Sequence, residues 1–194
     1  MVEDDEKKVA STFSNMVIVL TLIALASALA LGFTYSVTKK ARHEAKIKKT
    51  LAAIKEVLPE FDNNPHNERY TLEGYKDMEF YPAKKGGQPV GTAVKTYSDE
   101  GFNERIWLMV GFDKDRKIHN LTVLKQKETP GLGHRMKEPK FIDQFKGQNP
   151  GLFKLRVVQD KGDVDAITAA TVSSRAFCLA VEKAYLALKK GGKK

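Results

Sequence analysis

The chain has 194 residues, enough for one domain plus an appendage, and its 33 Lys and Arg residues outnumber 24 Asp and Glu residues for a formal charge of +9. The basic residues are scattered and are not interleaved with aromatic residues, so nucleic-acid binding is not expected. The lone cysteine, Cys178, excludes an intrachain disulfide framework and a cysteine-rich metal site.

The first element predicted along the chain is a membrane-spanning helix over residues 16–37, after a short tail over residues 1–15. No charged residue occurs between Ser11 and Thr38, and about 20 apolar helical residues suffice to cross a bilayer. A cleavable signal peptide is the alternative, because the tripeptide ASA that begins at Ala26 has the small-x-small form of a cleavage site. The apolar run continues beyond that tripeptide and the leading MVEDDEKK is acidic, so we expect an uncleaved single anchor.

Charges beside the predicted anchor bear on its orientation. The segment KKARHEAKIKK, residues 39–49, holds six Lys or Arg, and the segment before the anchor holds two. Taken alone, the positive-inside rule therefore predicts that the residues after the anchor lie in the cytoplasm.

The remainder is predicted to be an α+β domain that follows a helical stalk over residues 38–60. Apolar residues at helical spacing support the stalk, and Pro59 ends it. Four segments of β-type pattern follow in hairpin order, with turns at KKGGQP and DKDRK, and predict a largely antiparallel sheet. A further strand is predicted over residues 153–159, and a final helix over residues 173–190. The four predicted strands are 78–83, 90–97, 106–112 and 118–126, and the predicted inward face of the final helix is Phe177, Val181, Ala184, Tyr185 and Leu188.

The first motif that could carry chemistry is ETPGLG, residues 128–133, directly after the fourth predicted strand. Pro130 followed by Gly131 predicts a type II turn, because proline fixes φ and glycine accepts a positive φ. Two glycines around Leu132 would also let the backbone approach a flat ligand closely. A tight loop without a ligand is the simpler explanation, and GxG alone is no dinucleotide fingerprint.

The second motif is DAITAATVSS, residues 165–174, where four hydroxyl side chains stand at the start of the final helix. One hydroxyl would suffice to cap a helix, whereas a helix start can also bind a phosphate through its exposed amides. The sequence lacks the GxSxG elbow of a Ser hydrolase, and its four histidines show no evident pairing with an acid. The residues alone therefore leave two interpretations open, a plain cap and a site for a phosphate-bearing ligand.

Taken together, the anchor, the segment GFNERIWLMVGFDKDRKIHNLTVLKQKETPGLG and the motif DAITAATVSS resemble the FMN-binding G subunit of the Rnf electron-transport complex. They are similar, less closely, to its relative, the C subunit of the sodium-translocating NADH:quinone reductase. The resemblance covers most of residues 74–188, and it implies that residues 61–194 form an FMN-binding domain with an antiparallel sheet and flanking helices.

The resemblance implies a covalent flavin site. The family motif runs Asp-x-x-Ser-Gly-Ala-Thr-x-Thr-Ser, and its threonine after Gly-Ala is esterified to the phosphate of FMN, which implies attachment at Thr171. This chain departs from the motif by Thr168 for Ser, Ala169 for Gly and Ser173 for Thr, and alanine resists backbone geometry that glycine accepts. The cofactor-binding residues implied by the two motifs are Glu128, Thr129, Gly131, Leu132, Gly133, Asp165, Thr168, Ala169, Ala170, Thr171, Ser173 and Ser174.

The resemblance also implies a function and partners. The chain would be an electron-carrying subunit of a membrane complex that couples ferredoxin and NAD redox chemistry to ion translocation, with no isolated catalytic activity, no catalytic residues and no metal. Its partners would be other subunits of the complex, membrane lipid and, during maturation, a magnesium-dependent transferase that passes the FMN moiety of FAD to the threonine and releases AMP. The domain would face outward from the cytoplasmic membrane, against the charge bias. The alternatives are an anchored flavin-binding protein of regulation or assembly, the equivalent subunit of the quinone reductase, and a scaffold with a capped helix and no cofactor.

Overall fold

The described part of the chain begins with a single long helix. The structure, a computed structural model, describes residues 12–191, and its first element is helix α1, Phe13–Val57. This helix runs without a break through the predicted anchor and into the predicted stalk. Among the described residues it is the one helix whose length and composition would allow it to cross a membrane. The chain divides into two compact units, one up to Lys46 and one from Ile47 onward. The predicted tail falls almost entirely outside the described residues.

Three threonine hydroxyls in and beside the apolar part of α1 are satisfied within the helix. Thr21, Thr34 and Thr38 each donate a hydrogen bond of 2.7 to 2.8 Å to the carbonyl oxygen four residues earlier. A buried hydroxyl needs an acceptor, and a hydrocarbon layer supplies none. These threonines therefore suit an apolar environment although their side chains are polar.

The second unit is built on a four-stranded antiparallel sheet, as the pattern predicted. Its strands are β1, Glu79–Lys85, β2, Gln88–Ser98, β3, Ile106–Asp113, and β4, Ile118–Lys125, and each pairs with the next in chain order. The first hairpin turns at Gly86 and Gly87, whose φ angles of 56° and 78° require the left-handed backbone that glycine adopts without strain. The α+β class is confirmed.

The two faces of the sheet are covered by different helices. One face packs against α3, Thr171–Gly191, in a cluster that includes Phe80, Leu108 and Phe177. The other face packs against the last turns of α1. On α3 the predicted inward residues are buried, apart from the half-buried Tyr185. Helix α3 begins two residues before the predicted start, so Thr171 is its first residue.

The strand predicted over residues 153–159 is wrong. The segment closes a compact turn, in which the amide of Val158 donates to the carbonyl of Val164 and the amide of Val164 donates to the carbonyl of Arg156. Residues 158–160 form one turn of 3-10 helix. Because these backbone groups pair locally, none is offered to the sheet, although Leu155 and Val157 are buried as a strand pattern would require.

Two short elements connect β4 to this turn. A 3-10 turn over Gly133–Lys137 follows the ETPGLG loop directly, and α2, Pro139–Ile142, comes next with proline in its first turn. Phe141 of α2 meets Phe177 edge to face with ring centroids 5.1 Å apart, which fixes this connection against α3.

Candidate functional site

The two sequence motifs meet in one cavity, although the 31 residues 134–164 separate them in the chain. The cavity has a volume of about 330 Å³ and opens to the surface at the start of α3. Of the predicted site residues, Thr129, Leu132 and Gly133 reach it from one side and Ala169, Ala170 and Thr171 from the other. The complete lining is Phe102, Glu128, Thr129, Leu132, Gly133, Ala169, Ala170, Thr171, Val172 and Ser173.

The ETPGLG loop is a tight turn that presents a leucine to the cavity. The amide of Leu132 donates to the carbonyl of Thr129 at 3.1 Å, and Gly131 between them has a φ of 77°. This is the bond and the positive φ that a type II turn requires, so the predicted turn is confirmed. Leu132 keeps 39% of its surface exposed at the tip of the turn. Gly131 lies behind that tip and does not line the cavity.

Gly133 makes the contact between the two motifs possible. A Cβ atom at this position would collide with the Ser173 hydroxyl oxygen and would stand 2.9 Å from Cβ of Glu128. The loop therefore approaches α3 more closely than any residue with a side chain would allow. This close approach brings the loop and the helix start to the same cavity.

A buried carboxylate joins three segments beneath the cavity. Glu128 is 4% exposed, and its carboxylate accepts a short hydrogen bond from the Ser173 hydroxyl. The same carboxylate accepts the backbone amides of Phe102 at 3.3 Å and Asn103 at 3.2 Å. The loop after β2, the ETPGLG loop and the first turn of α3 are thus tied to one side chain. A buried charge is tolerated when it collects several hydrogen bonds in this way.

The loop that leads into α3 is held in a strained conformation. Ala169 has a φ of 59°, a left-handed backbone that alanine adopts only at a cost. The fully buried Ser174 supports this loop, because its hydroxyl accepts the amide of Ile167 and donates to the carbonyl of Ala170, both at 3.0 Å. Ser174 therefore lies behind the cavity and not in its lining.

The four hydroxyls of the second motif thus have different surroundings. Ser173 and Ser174 are buried and hydrogen-bonded within the domain, whereas Thr168 is exposed and Thr171 is half-buried. Within residues 12–191 neither threonine hydroxyl makes a hydrogen bond. Of these two threonines, only Thr171 lines the cavity that the ETPGLG loop shares. At the first residue of a 21-residue helix it also stands where the backbone amides and the helix dipole favour an anion.

Asp165 and Thr168 line a neighbouring cavity of about 300 Å³ with Arg135 and Lys140. The Gln144 side chain pairs with the backbone of Asp165 on this side, accepting its amide at 2.7 Å and donating to its carbonyl at 3.2 Å. The structure therefore separates these two predicted residues from the cavity that holds Thr171.

Two residues of the cavity were not predicted. Phe102 lies in the loop between β2 and β3 and is 67% exposed, and Val172 follows Thr171 and is 46% exposed. A signal for each existed in the sequence. Phe102 is an aromatic residue in a loop between two strands, and Val172 points away from the inward face of α3 that begins at Ser173.

An ion pair fixes the second turn of α3. The Arg175 guanidinium donates two hydrogen bonds of 2.7 Å to Asp160 and, by these bonds and its charge, lowers the pKa of that carboxyl. One turn further on, burial raises the pKa of the Cys178 thiol to about 12, so this cysteine is not a nucleophile at neutral pH. Within the described residues no group of three or more His, Cys, Asp or Glu side chains could hold a metal ion.

Comparison with known proteins identifies several relatives. Residues 101–186 match the family described as FMN-binding domain, which spans both motifs. The Vibrio cholerae G subunit of an ion-translocating oxidoreductase complex is 31% identical over 181 residues, 86% of each chain. The corresponding G subunit from Yersinia pestis is 32% identical over 158 residues, 75% of each chain.

A solved structure shares the fold. The crystal structure of the C subunit of the Na(+)-translocating NADH-quinone reductase from Parabacteroides distasonis superposes with a TM-score of 0.54 and 21% sequence identity. The match covers 82% of this chain and 96% of that one.

Proposed function

The chain belongs to the family of G subunits of ion-translocating oxidoreductase complexes, and from that membership we propose that it is a membrane-anchored flavoprotein that carries FMN on Thr171. In this role it passes electrons between neighbouring cofactors of the complex, whose redox chemistry of ferredoxin and NAD drives ion translocation. The domain stands on the outer face of the cytoplasmic membrane, and a flavin transferase attaches the cofactor during maturation.

The proposal rests on one observation: of the four hydroxyl side chains in the second motif, only that of Thr171 lines the shared cavity without a hydrogen bond within residues 12–191. Ser173 and Ser174 are engaged inside the domain, and Thr168 lines a different cavity. Thr171 combines a hydroxyl without a hydrogen bond, a place in the cavity shared by both motifs and a position at the start of a long helix. A nucleophilic oxygen that accepts a phosphoryl group needs this accessibility together with a positive electrostatic environment.

The residues of the cavity fit FMN. The amides of the first turn of α3 can hold the phosphate, and the apolar side chains of Leu132 and Val172 suit an aromatic ring system. When bound, FMN supplies the redox chemistry, because none of the lining side chains is a redox group. The chain positions this group and prevents its loss, since a phosphoester does not dissociate.

Attachment of FMN to Thr171 is a phosphoryl transfer from FAD. The Thr171 oxygen forms a bond to the phosphorus on the FMN side of FAD, the bond between the two phosphates breaks, and AMP leaves. The hydroxyl proton passes to a base of the transferase. The Ala169 backbone, held left-handed by the loop, keeps the Thr171 hydroxyl at the rim of the cavity where an enzyme can reach it.

The decisive experiment is Thr171→Val in the full chain, co-expressed with a flavin transferase of this type. Valine keeps the branched shape but lacks the oxygen that forms the ester. We expect wild type to exceed the mass of its polypeptide by one FMN minus water, and we expect Thr171→Val to show the polypeptide mass alone. The flavin fluorescence that survives denaturing electrophoresis should disappear with it.

Thr168→Val is the matched control, since it removes the other hydroxyl that makes no hydrogen bond and leaves Thr171 in place. This variant should keep covalent FMN, with at most a lower yield. If Thr171→Val retained the flavin and Thr168→Val lost it, the attachment site would be three residues earlier. If wild type carried no flavin in the presence of the transferase, the proposed function would be wrong.

A further inference from the structure

The side chains just beyond the apolar segment of α1 are arranged around one arginine. The Arg42 guanidinium lies over the Tyr35 ring, with its Cζ atom 5.0 Å from the ring centroid. Its Nε and Nη2 atoms donate to the Thr38 hydroxyl at 3.1 and 2.6 Å. Because side chains in a helix point toward its N-terminus, Arg42 reaches back along α1 toward the apolar residues. The guanidinium is thus held next to the end of the apolar segment.

This guanidinium and a neighbouring ammonium group have no acidic partner. In residues 12–191 neither Arg42 nor Lys39 forms an ion pair, and the Nη1 atom of Arg42 donates to no protein acceptor. Glu44 is the one acidic residue of the segment 39–49, and it follows Arg42 by two positions, which do not face each other on a helix. Lys39 and Arg42 are three residues apart and share one face of α1. Two exposed cations therefore stand side by side with N–H groups available to an anion.

The rise of the helix puts these two cations at the depth of lipid headgroups. The apolar side chains of α1 stay exposed as far as Val37, which is 63% exposed, so they suit contact with hydrocarbon. At about 1.5 Å for each residue, Lys39 and Arg42 follow Val37 by roughly 3 and 8 Å. The headgroup layer extends about 5–7 Å beyond the hydrocarbon on each side, and tyrosine is typical of this boundary. Because Arg42 folds back toward Tyr35, both cationic groups fall within the layer that contains the lipid phosphates.

We propose that Arg42 and Lys39 bind the phosphate of an anionic phospholipid at the membrane surface. The inference rests on the membrane anchor of the proposed function and does not require FMN at Thr171. A guanidinium presents paired N–H groups to two phosphate oxygens, and the contacts with Tyr35 and Thr38 hold it in place before a lipid arrives. A phosphatidylcholine headgroup carries its own cation, so two positive side chains favour a lipid whose headgroup has none. The charges after the anchor thereby gain a function that does not depend on which side of the membrane they occupy.

The selectivity of the full chain for lipids measures this contact. The chain is placed in nanodiscs of equal parts phosphatidylglycerol and phosphatidylcholine with the same acyl chains, and the lipids that stay on the released protein are counted by native mass spectrometry. We expect wild type to retain phosphatidylglycerol several-fold more often than phosphatidylcholine. Lys39→Gln combined with Arg42→Gln should bring this ratio close to one, because glutamine keeps a polar side chain but removes both charges.

Lys48→Gln combined with Lys49→Gln is the matched control, since it removes the same number of charges from the same basic segment. At about 1.5 Å for each residue these lysines follow Val37 by roughly 17 Å, which is beyond the headgroup layer. We expect this variant to keep the lipid ratio of wild type. Arg42→Lys keeps the charge but loses the planar fork of donors, so we expect an intermediate ratio. All of the substituted side chains are exposed, and the variants should therefore fold like wild type.

The outcomes separate this inference from the proposed function. If wild type showed no preference for phosphatidylglycerol, or if both double variants lowered the ratio equally, the proposed lipid site would be wrong. A wild-type ratio in the variant without Lys39 and Arg42 would also contradict it, and would leave these cations to an acidic surface of another subunit. If wild type failed to float with vesicles of the same lipid mixture, the proposed membrane anchor would fail and the inference would fail with it. The mass of attached FMN, measured on the same samples, tests Thr171 independently of the lipid ratio.

Discussion

At the scale of single residues, Ala169 has a backbone conformation that alanine disfavours. The family motif has glycine at this position, and the structure shows why, since φ is 59° there. A left-handed conformation costs a residue with a Cβ atom roughly 1–2 kcal/mol. The domain accepts this strain because Ser174 and Ile167 hold the loop on either side of it.

Ala169→Gly should therefore stabilise the protein. Removing the strain is partly offset by the greater freedom of glycine in the unfolded chain, so we expect the free energy of unfolding to rise by about 0.5–1 kcal/mol. Chemical denaturation in detergent, followed by circular dichroism, measures this change.

Thr168→Gly is the control for Ala169→Gly, because Thr168 is the preceding residue and does not have a positive φ. It should lower the free energy of unfolding. Equal effects of the two variants would mean that the Ala169 backbone is not strained.

The residues alone predicted both motifs as a site, and only the family resemblance gave one of the four hydroxyls, that of Thr171, a role of its own. Helical spacing predicted the start of α3 to within two residues, whereas the hydrogen bond of Ser173 depends on Glu128, which lies 45 residues earlier in the chain. Phe102 was missed for a similar reason. Its one local signal is an aromatic residue in a loop, and its place in the cavity depends on a bond to Glu128, 26 residues further along the chain.

At the scale of elements, alternation of apolar and polar residues predicted all four strands and their order. It failed at residues 153–159, where buried Leu155 and Val157 imitate a strand but the backbone bonds return to Asp163 and Val164. Local backbone pairing and sheet pairing give the same side-chain pattern over so few residues. The predicted stalk continues the helix of the predicted anchor, because α1 contains no proline to interrupt it.

The end of α1 packs on the sheet through a glycine, and this packing can be tested. A Cβ atom at Gly111 in β3 would collide with the backbone carbonyl of Val57, which cannot move without displacing the helix. We expect Gly111→Ala to lower the free energy of unfolding by about 3 kcal/mol, near the upper end of overpacking costs. Thermal melting of the full chain would show it as a lower transition temperature.

Gly151→Ala is the matched control for Gly111→Ala. Its Cβ would stand 3.1 Å from the Asn149 side chain and 3.2 Å from the Tyr185 hydroxyl, both of which can shift. We expect Gly151→Ala to change the free energy of unfolding only slightly. If Gly111→Ala were equally mild, the last turns of α1 would not be fixed against β3.

At the scale of the whole molecule, the charges after the anchor and the proposed topology disagree. Residues 39–49 carry six Lys or Arg, yet the proposed function puts the domain outside the cytoplasm. Long domains cross the membrane largely regardless of flanking charge, so the bias need not decide the orientation.

Two reporters fused after Lys194 test the topology. We expect a reporter that is active only outside the cytoplasm to be active, and a reporter that is active only inside to be silent. Deleting residues 16–37 should reverse both signals, because the chain then has no described segment able to cross the membrane. Activity of the cytoplasmic reporter alone in the intact chain would put the domain inside.

The position of α3 in the chain also determines when folding of the domain can be completed. The strands are consecutive, so the sheet can pair from neighbouring segments soon after they leave the ribosome. Helix α3 comes last, and it joins the sheet through contacts such as the hydrogen bond from the Thr96 hydroxyl to the carbonyl of Ala180 at 2.9 Å. Thr171 reaches the ETPGLG loop only when that helix packs. Under the proposed attachment at Thr171, cofactor insertion is therefore a late step of biogenesis, and a C-terminal truncation that removes α3 also removes the attachment residue.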